Sequence, residues 1–360
     1  YIIDEVSDAD SRAALFGLAD GAVIKDLTVS GTISVAKQSN AGKISEAADT
    51  SISGCTSGLS ITARDNVGGI VGNASGKMTI SGCSNNGSLM GKGSVGGIVG
   101  LLSTASEAMV SECTNTGNVN HQSPGGGIIA NCTSSTGSVT VQKCSNSGKI
   151  AGSISSGGIV CYTPEKGTLT IDACYNTGNV ASSYASGFGA TAGGIISKLS
   201  SGTICTMSSC YSVGEVNATY DDSHSNLTYS HGQLIGYLDS SKPTITNSYY
   251  VRDFSGSSSK VPTVTVGEKV SEEDLKNLAD GITLTEFTTD GAGVNDGWPV
   301  LDWQSEQEYI TLKITGQGDA AAGITVSGNG AEISKDGARF VKGSVVALEI
   351  TLSNEYSKYT

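Results

Sequence analysis

The chain has 360 residues, 49 of them glycine, with 6% aromatic and 15% charged residues: enough apolar content for a core and too little charge for a disordered chain. Its 34 acidic against 21 basic residues leave a net charge of -13, which excludes a sequence-independent grip on nucleic acid, because phosphate backbones demand surplus Lys and Arg. No apolar run approaches the roughly 18 residues of a membrane helix, so no membrane insertion is expected.

From its first residues the chain reads as a piece of a longer protein. Tyr1 is not a start residue and Thr360 falls inside a strand-like stretch, so the lack of a targeting segment says nothing of the cell. Three parts are expected: a repeat region over 1–262, a cap over 263–306, and the start of a further module over 307–360.

The repeat region shows two motifs in step. One is Ile80-Ser-Gly-Cys83-Ser-Asn85-Asn-Gly87-Ser-Leu89, with clear copies at Cys113, Cys144 and Cys174 and weaker ones at Cys55 and Cys210. Degenerate copies place Leu27 and Ser248 at the cysteine position, giving spacings of 28, 28, 30, 31, 30, 36 and 38 residues. The second motif is Gly68-Gly-Ile-Val-Gly72, repeated at Gly96, Gly126, Gly157 and Gly193. Each unit holds three short β-branched runs broken by Gly, Ser and Asn, too short and too glycine-rich for helices. The expected fold is all-β: a right-handed single-stranded parallel β-helix, a solenoid of about eight turns, its handedness taken from chirality preference.

From the cysteine onward, alternation puts Cys and the aliphatic six residues later inside. An apolar residue three before the cysteine breaks this parity, which predicts a bend just before the cysteine, with Glu112 and Lys143 facing water. Cys55, Cys83, Cys113, Cys144, Cys174 and Cys210 then form a structural column, read as buried free thiols, because parallel Cβ vectors do not give a disulfide dihedral. Cys132, Cys161 and Cys205 lie elsewhere in the unit, and a Cys132–Cys161 bridge is left open. Asn85, Asn115, Asn146 and Asn176 are expected to stack, each amide bonding the neighbouring turn's backbone. The Gly-rich runs lack the Gly-Lys-Ser/Thr ending of a phosphate loop.

Insertions in a repeat collect on one face, so the two longest units carry the candidate sites. They hold 182–192, with Tyr184, and 217–232, with Tyr220, Asp221, Asp222, His224, Tyr229 and His231. This polar loop could hold a ligand or Ca2+ through carboxylate oxygens, or it is a solvated loop; whether any metal binds is left open. The residue after the cysteine is Ser or Thr in early units but Tyr175, Tyr211 and Tyr249 in the last three. Stacked and pointing outward, these rings suit sugars or peptide side chains, or they pack beneath the cap. Asp221-Asp222 and His231-Gly232 are similar to the Asp-Asp and His-Gly elements of polygalacturonases, but both lie in one loop and no second carboxylate group comes from another turn.

Residues 271–280 read as a short helix, with Ser271 and Asp274 forming a capping box and Leu275 and Leu278 its apolar face, closing the coil with Phe287, Trp298, Leu301 and Trp303. Beyond Tyr309, the runs 310–314, 324–326 and 345–352 alternate like strands of a truncated β-sandwich of immunoglobulin-like type.

The Gly-Gly-Ile-Val-Gly runs, the Cys-x-Asn-x-Gly-x-Val units and the tail Asp296-Gly-Trp298-Pro299-Val-Leu-Asp-Trp303-Gln304 resemble the GLUG-repeat segments of large secreted and surface proteins of bacteria, often Gram-positive, including regions of some immunoglobulin A-cleaving metalloproteases. The resemblance covers roughly residues 14 to 304. It implies a secreted or cell-surface β-helix, monomeric as a fragment, with an adhesive or scaffolding role and no cofactor. It carries over no catalytic residue, and the metalloprotease His-Glu-x-x-His is absent. Three functions follow as expectations: an adhesin-type domain binding a glycan or host extracellular protein, a non-binding rigid spacer, and a polysaccharide lyase or glycoside hydrolase.

Overall fold

The computed structural model describes residues 12–35, 40–132, 137–184, 189–253 and 261–305, and five short strands beyond residue 308. The described residues between 12 and 270 coil into a parallel β-solenoid with three sheets. One sheet stacks eight strands in the order Arg12–Ala13, Asn40–Ala41, Val67–Gly68, Val95–Gly96, Gly125–Gly126, Ser155–Gly157, Ala190–Gly193 and Tyr229–Gly232. Equivalent residues pair directly: Ile44, Val71, Val99, Ile129, Val160, Ile196 and Ile235 succeed one another from turn to turn. All seven are fully buried, and with the cysteines they form the main core cluster. A second cluster follows the aliphatic six residues after each cysteine: Leu89, Val119, Ile150, Val180 and Val216.

The expected bend is a column of left-handed residues. Asp26, Gly54, Gly82, Glu112, Lys143, Ala173, Ser209 and Asn247, each preceding the anchor position, have φ between 46° and 59°. Glycine fills this conformation without strain in only two of these turns, and an L-residue there costs about 1–2 kcal/mol. The rest of the turn therefore over-determines the bend.

The two sequence motifs recur in phase because they touch. A Cβ on Gly97 would lie 2.4 Å from Cγ of Asn115 and 2.0 Å from the Gly127 carbonyl oxygen. The glycine of one motif thus makes room for the asparagine of the other. The amides run as a ladder: Asn85 Nδ2 donates to Asn115 Oδ1 at 2.8 Å, Asn115 to Asn146 at 2.7 Å, and Asn146 to Asn176 at 2.7 Å. Each Nδ2 also donates to the glycine carbonyl two residues on in its own turn. The expected bond to the neighbouring turn's backbone is therefore replaced by one to the neighbouring side chain, because the in-register stack brings the amides into line.

All nine cysteines are free and buried, including Cys132 and Cys161, so the bridge left open is not formed. Cys132 Sγ turns to the Tyr162 carbonyl at 2.9 Å and Cys161 Sγ to Ser155 O at 3.2 Å.

The helix α1 (Glu272–Asn277) is N-capped by Ser271, whose Oγ accepts from Asp274 N at 3.0 Å. It is shorter than expected because Leu278 turns left-handed. Coil pairing extends past residue 262: Tyr249–Tyr250 pairs with Glu268–Lys269, and His231 bridges Thr263. The cap that follows lies along the coil's flank, over Ala173, Tyr175, Tyr211, Val213 and Tyr249, rather than only across its end. It ends in the short helix α2 (Asp302–Ser305).

Farther on, Tyr309–Leu312 pairs antiparallel with Ala338–Val341, and Ile324–Gly328 with Ala331–Glu332 and Ala347–Ile350. Positions 313–314, 345–346 and 351–352 of the expected strands lie outside the described residues. Among the described residues no helix is long and apolar enough to cross a membrane.

Candidate functional site

Parallel pairing stacks Tyr175, Tyr211 and Tyr249 in one column, as the spacing required. The outward aromatic face expected there is corrected by the structure. The three residues are 5%, 0% and 2% exposed, sealed under the cap. Tyr175 and Tyr211 stack with centroids 5.0 Å apart, and Phe287 meets both at an angle. Each hydroxyl is bonded within the cap: Tyr175 to Gln304 Oε1 at 3.0 Å, Tyr211 to the Pro299 carbonyl and Asn295 Nδ2, and Tyr249 to Thr283 N at 3.0 Å. Burial pushes the Tyr211 phenol well above its ordinary range. The physical reason is simple. Three phenol rings in one column, two of them stacked face to face, offer a large apolar surface, and the chain's own tail covers them.

The excursion after Val216–Ala218 makes a surface cluster instead. Asp221 caps the 3-10 turn Asp222–His224: its Oδ1 accepts from Ser223 N at 2.9 Å and Ser223 Oγ at 2.7 Å. Its Oδ2 pairs with His224 Nδ1 at 3.0 Å. The bonds from Ser223, then that from His224, hold the Asp221 carboxyl below its usual range. The His224 ring stacks on Tyr184 with centroids 4.3 Å apart, and Tyr220 packs on Tyr229 at 4.8 Å. Tyr184, Tyr220 and Leu227 are half-buried against the second core cluster.

The structure thus brings together Tyr184, Tyr220, Asp221 and His224 from two successive turns, with Asp222 exposed beside them. It turns His231 away to the core at 0% exposure, while Tyr229, 4% exposed, packs beneath Tyr220; the regular alternation resumes at Tyr229–Gly232 and points both inward. His231 Nε2 meets Thr263 Oγ1 at 3.0 Å, and burial lowers the imidazole's pKa. Both oxygens of Asp221 are engaged by Ser223 and His224. Among the described residues no three His, Cys, Asp or Glu side chains converge as a metal site.

Two interior residues escaped sequence reasoning. His121 is 5% exposed, with Nε2 2.9 Å from Ser156 Oγ and Nδ1 on the Ser123 carbonyl. Burial pulls its pKa down to about 4. Ser156 continues to Ser182 Oγ at 2.8 Å and to the Ala181 carbonyl at 2.7 Å. A signal existed: Gly91, His121 and Gly152 are in register, and glycine at 125 leaves room for the ring. Lys43 is fully buried at the place taken by Ile70 and Ile98 in the next turns, and its Nζ donates to the carbonyls of Leu27 and Thr56. Aligning Gly42-Lys43-Ile44 with Gly69-Ile70-Val71 exposes it.

These features define the described residues as a parallel β-solenoid with a flank-bound cap and an aromatic, acid–imidazole cluster on its surface. No family model matches the chain, and no curated protein matches it in sequence. Among solved structures it is similar to a crystal structure described as a "putative immunoglobulin A1 protease" from Bacteroides ovatus, at 15% identity and a TM-score of 0.42, covering 84% of this chain and 82% of that one.

Proposed function

We propose that the chain is a recognition segment of a bacterial surface or secreted protein, of GLUG-repeat type, in which a rigid solenoid presents the 217–228 excursion to a glycan or an extracellular host protein. The observation that carries this reading is the stack of Tyr184 on His224 at 4.3 Å, with Asp221 fixing the imidazole from its edge. Aromatic faces beside oriented carboxylate and imidazole groups suit the apolar faces and hydroxyls of a sugar ring. The C-terminal strands, on this reading, begin an immunoglobulin-like stalk module.

A spacer reading is supported by a different observation, the cap's sealing of the tyrosine column. The test is binding of the purified chain to an array of glycans and matrix proteins, beside a Tyr184→Ala, Tyr220→Ala variant. Saturable binding that weakens about tenfold or more in the variant, the scale of losing one aromatic anchor, supports recognition. No binding to any target supports the spacer. A bound polysaccharide that shortens with time, and stays intact with Asp221→Ala, supports a lyase or hydrolase.

A further inference from the structure

A second aromatic column stands on another face of the coil. Parallel pairing places Asn73, Leu101, Asn131, Tyr162, Lys198 and Tyr237 one above another from turn to turn. The column faces outward, since Thr163 and Leu199 alongside it are fully buried. Tyr162, Lys198 and Tyr237 are half-buried, and the apolar cluster beneath the cap includes none of them. Earlier turns hold Asn or Leu at this position, so the coil itself demands neither ring nor amine there.

The late residues of the column are held in place. Tyr162 donates its hydroxyl to Ser155 Oγ at 3.1 Å, which fixes its ring. Lys198 Nζ lies 5.8 Å from the centre of the Tyr237 ring, within cation–π range. A ring face attracts the ammonium but offers it no oxygen acceptor. Among the described residues no carboxylate lies within ion-pair distance of this amine.

Charge supplies a second, independent observation. The three strands and the corner turns after them, 160–167, 196–203 and 235–243, carry Lys166, Lys198 and Lys242 against Glu165 and Asp239. That is a surplus of one positive charge on a chain whose net charge is -13. The corner turns are stacked on one another: Ser200 N donates to Thr163 Oγ1 at 2.9 Å and Ser241 Oγ to the Ser200 carbonyl at 2.7 Å. Charges farther off than about 8 Å are largely screened at physiological salt, so this face draws an anion although the whole chain is acidic.

Strand spacing of about 4.8 Å sets the two tyrosines about 9.6 Å apart, with the lysine between them. A ligand lying along the column therefore meets ring, cation and ring in turn. A peptide finds no free backbone edge at Val160–Tyr162 or Ile196–Leu199, because each strand is paired on both sides. A polysaccharide needs none. Its apolar ring faces rest on aromatic rings, and an acid group seeks the amine.

We propose that Tyr162, Lys198 and Tyr237 form a second binding site, for a glycan that carries carboxylates, such as a polyuronate. Lys198 pairs with a sugar carboxylate, and the tyrosines hold sugar rings on either side of it. The site lies on a different sheet face from the 217–228 excursion and does not depend on it.

The test is calorimetric binding of oligogalacturonate to the full chain, beside dextran sulfate, polyglutamate and a neutral glucan. The expected result is saturable uronate binding that Lys198→Gln and Tyr237→Ala each weaken about tenfold. Lys198→Arg should keep most of the affinity, and raised salt should lower it. Tyr184→Ala, Tyr220→Ala should leave it unchanged. All these side chains are half-buried at the surface, so circular dichroism should stay native in every variant. No uronate binding, or undiminished binding in Lys198→Gln, overturns the proposal. Dextran sulfate bound as tightly would mean charge attraction alone, and polyglutamate bound as tightly a peptide site; either overturns the carboxylated glycan. Loss of uronate binding in the Tyr184, Tyr220 variant alone would place the glycan at the excursion and overturn this second site.

Discussion

Thr56, Ser84, Thr114 and Ser145 occupy the same position in the early turns as Tyr175, Tyr211 and Tyr249 in the late ones. The backbone does not distinguish them. In the early turns the hydroxyls pair along the flank, Ser84 with Thr56 and Thr114 with Ser145, both at 3.1 Å. In the late turns Tyr175 and Tyr211 stack, and the tail from 271 to 305 closes over them and Tyr249. The boundary is sharp. Gln304 bridges Tyr175 and Ser145 at 3.0 Å each, and Trp303 donates to the Lys143 carbonyl. An aromatic stripe on a solenoid is thus no sign of a foreign ligand until the chain's own tail has been placed.

The largest effect that could break this contrast is truncation of the central ring. Tyr211→Ala removes a fully buried, stacked side chain and should cost about 4 kcal/mol, whereas Ser84→Ala should cost about 0.5 kcal/mol. Similar losses in denaturant unfolding would mean that the cap does not hold the stripe.

Inside the coil, His121 sharpens the contrast between regular and exceptional turns. Its folded-state pKa of about 4 lies below the unfolded value of 6.5, so the unfolded chain takes up the proton first. Stability should therefore be full above about pH 6.5 and fall by about 3 kcal/mol as pH drops toward 4. The difference between wild type and His121→Ala, measured across that window, reads this residue apart from the carboxylates. A pH-independent difference would contradict its burial as neutral imidazole.

The amide ladder comes next in size. Asn115→Ala interrupts it between Asn85 and Asn146 and should cost about 2 kcal/mol, since the partners stay buried. Smallest, and opposite in sign, is Glu112→Gly. It relieves a left-handed residue at φ 52° and should stabilise by about 1 kcal/mol, seen as a raised Tm. A loss of stability there would show that the side chain, not the bend, matters.

What repeats was legible in the sequence. The period, the inward cysteines, the aliphatic six residues later and the bend before each cysteine recur turn after turn, and registry converts recurrence into contact. Three things were hidden. The course of 271–305 depends on Leu275, Leu284, Phe287 and Leu301 finding the tyrosines, a long-range match that no periodicity encodes. The asparagines' partners depend on amide alignment across turns. Lys43 and His121 are single departures from their columns, visible only once the columns are aligned. At the candidate site, the Asp221–His224 pair lies within one turn and could be anticipated, but the inward turn of Tyr229 and His231 required the register of the strand that carries them.

The most direct test of the sealed flank is tyrosine acylation of the native chain by N-acetylimidazole, mapped by peptide mass spectrometry. Tyr220 and Tyr237, both half-exposed, should react, while Tyr175, Tyr211 and Tyr249 stay unmodified until the chain unfolds. Modification of Tyr211 as fast as Tyr220 in the folded protein would contradict the cap and return the stripe to the surface.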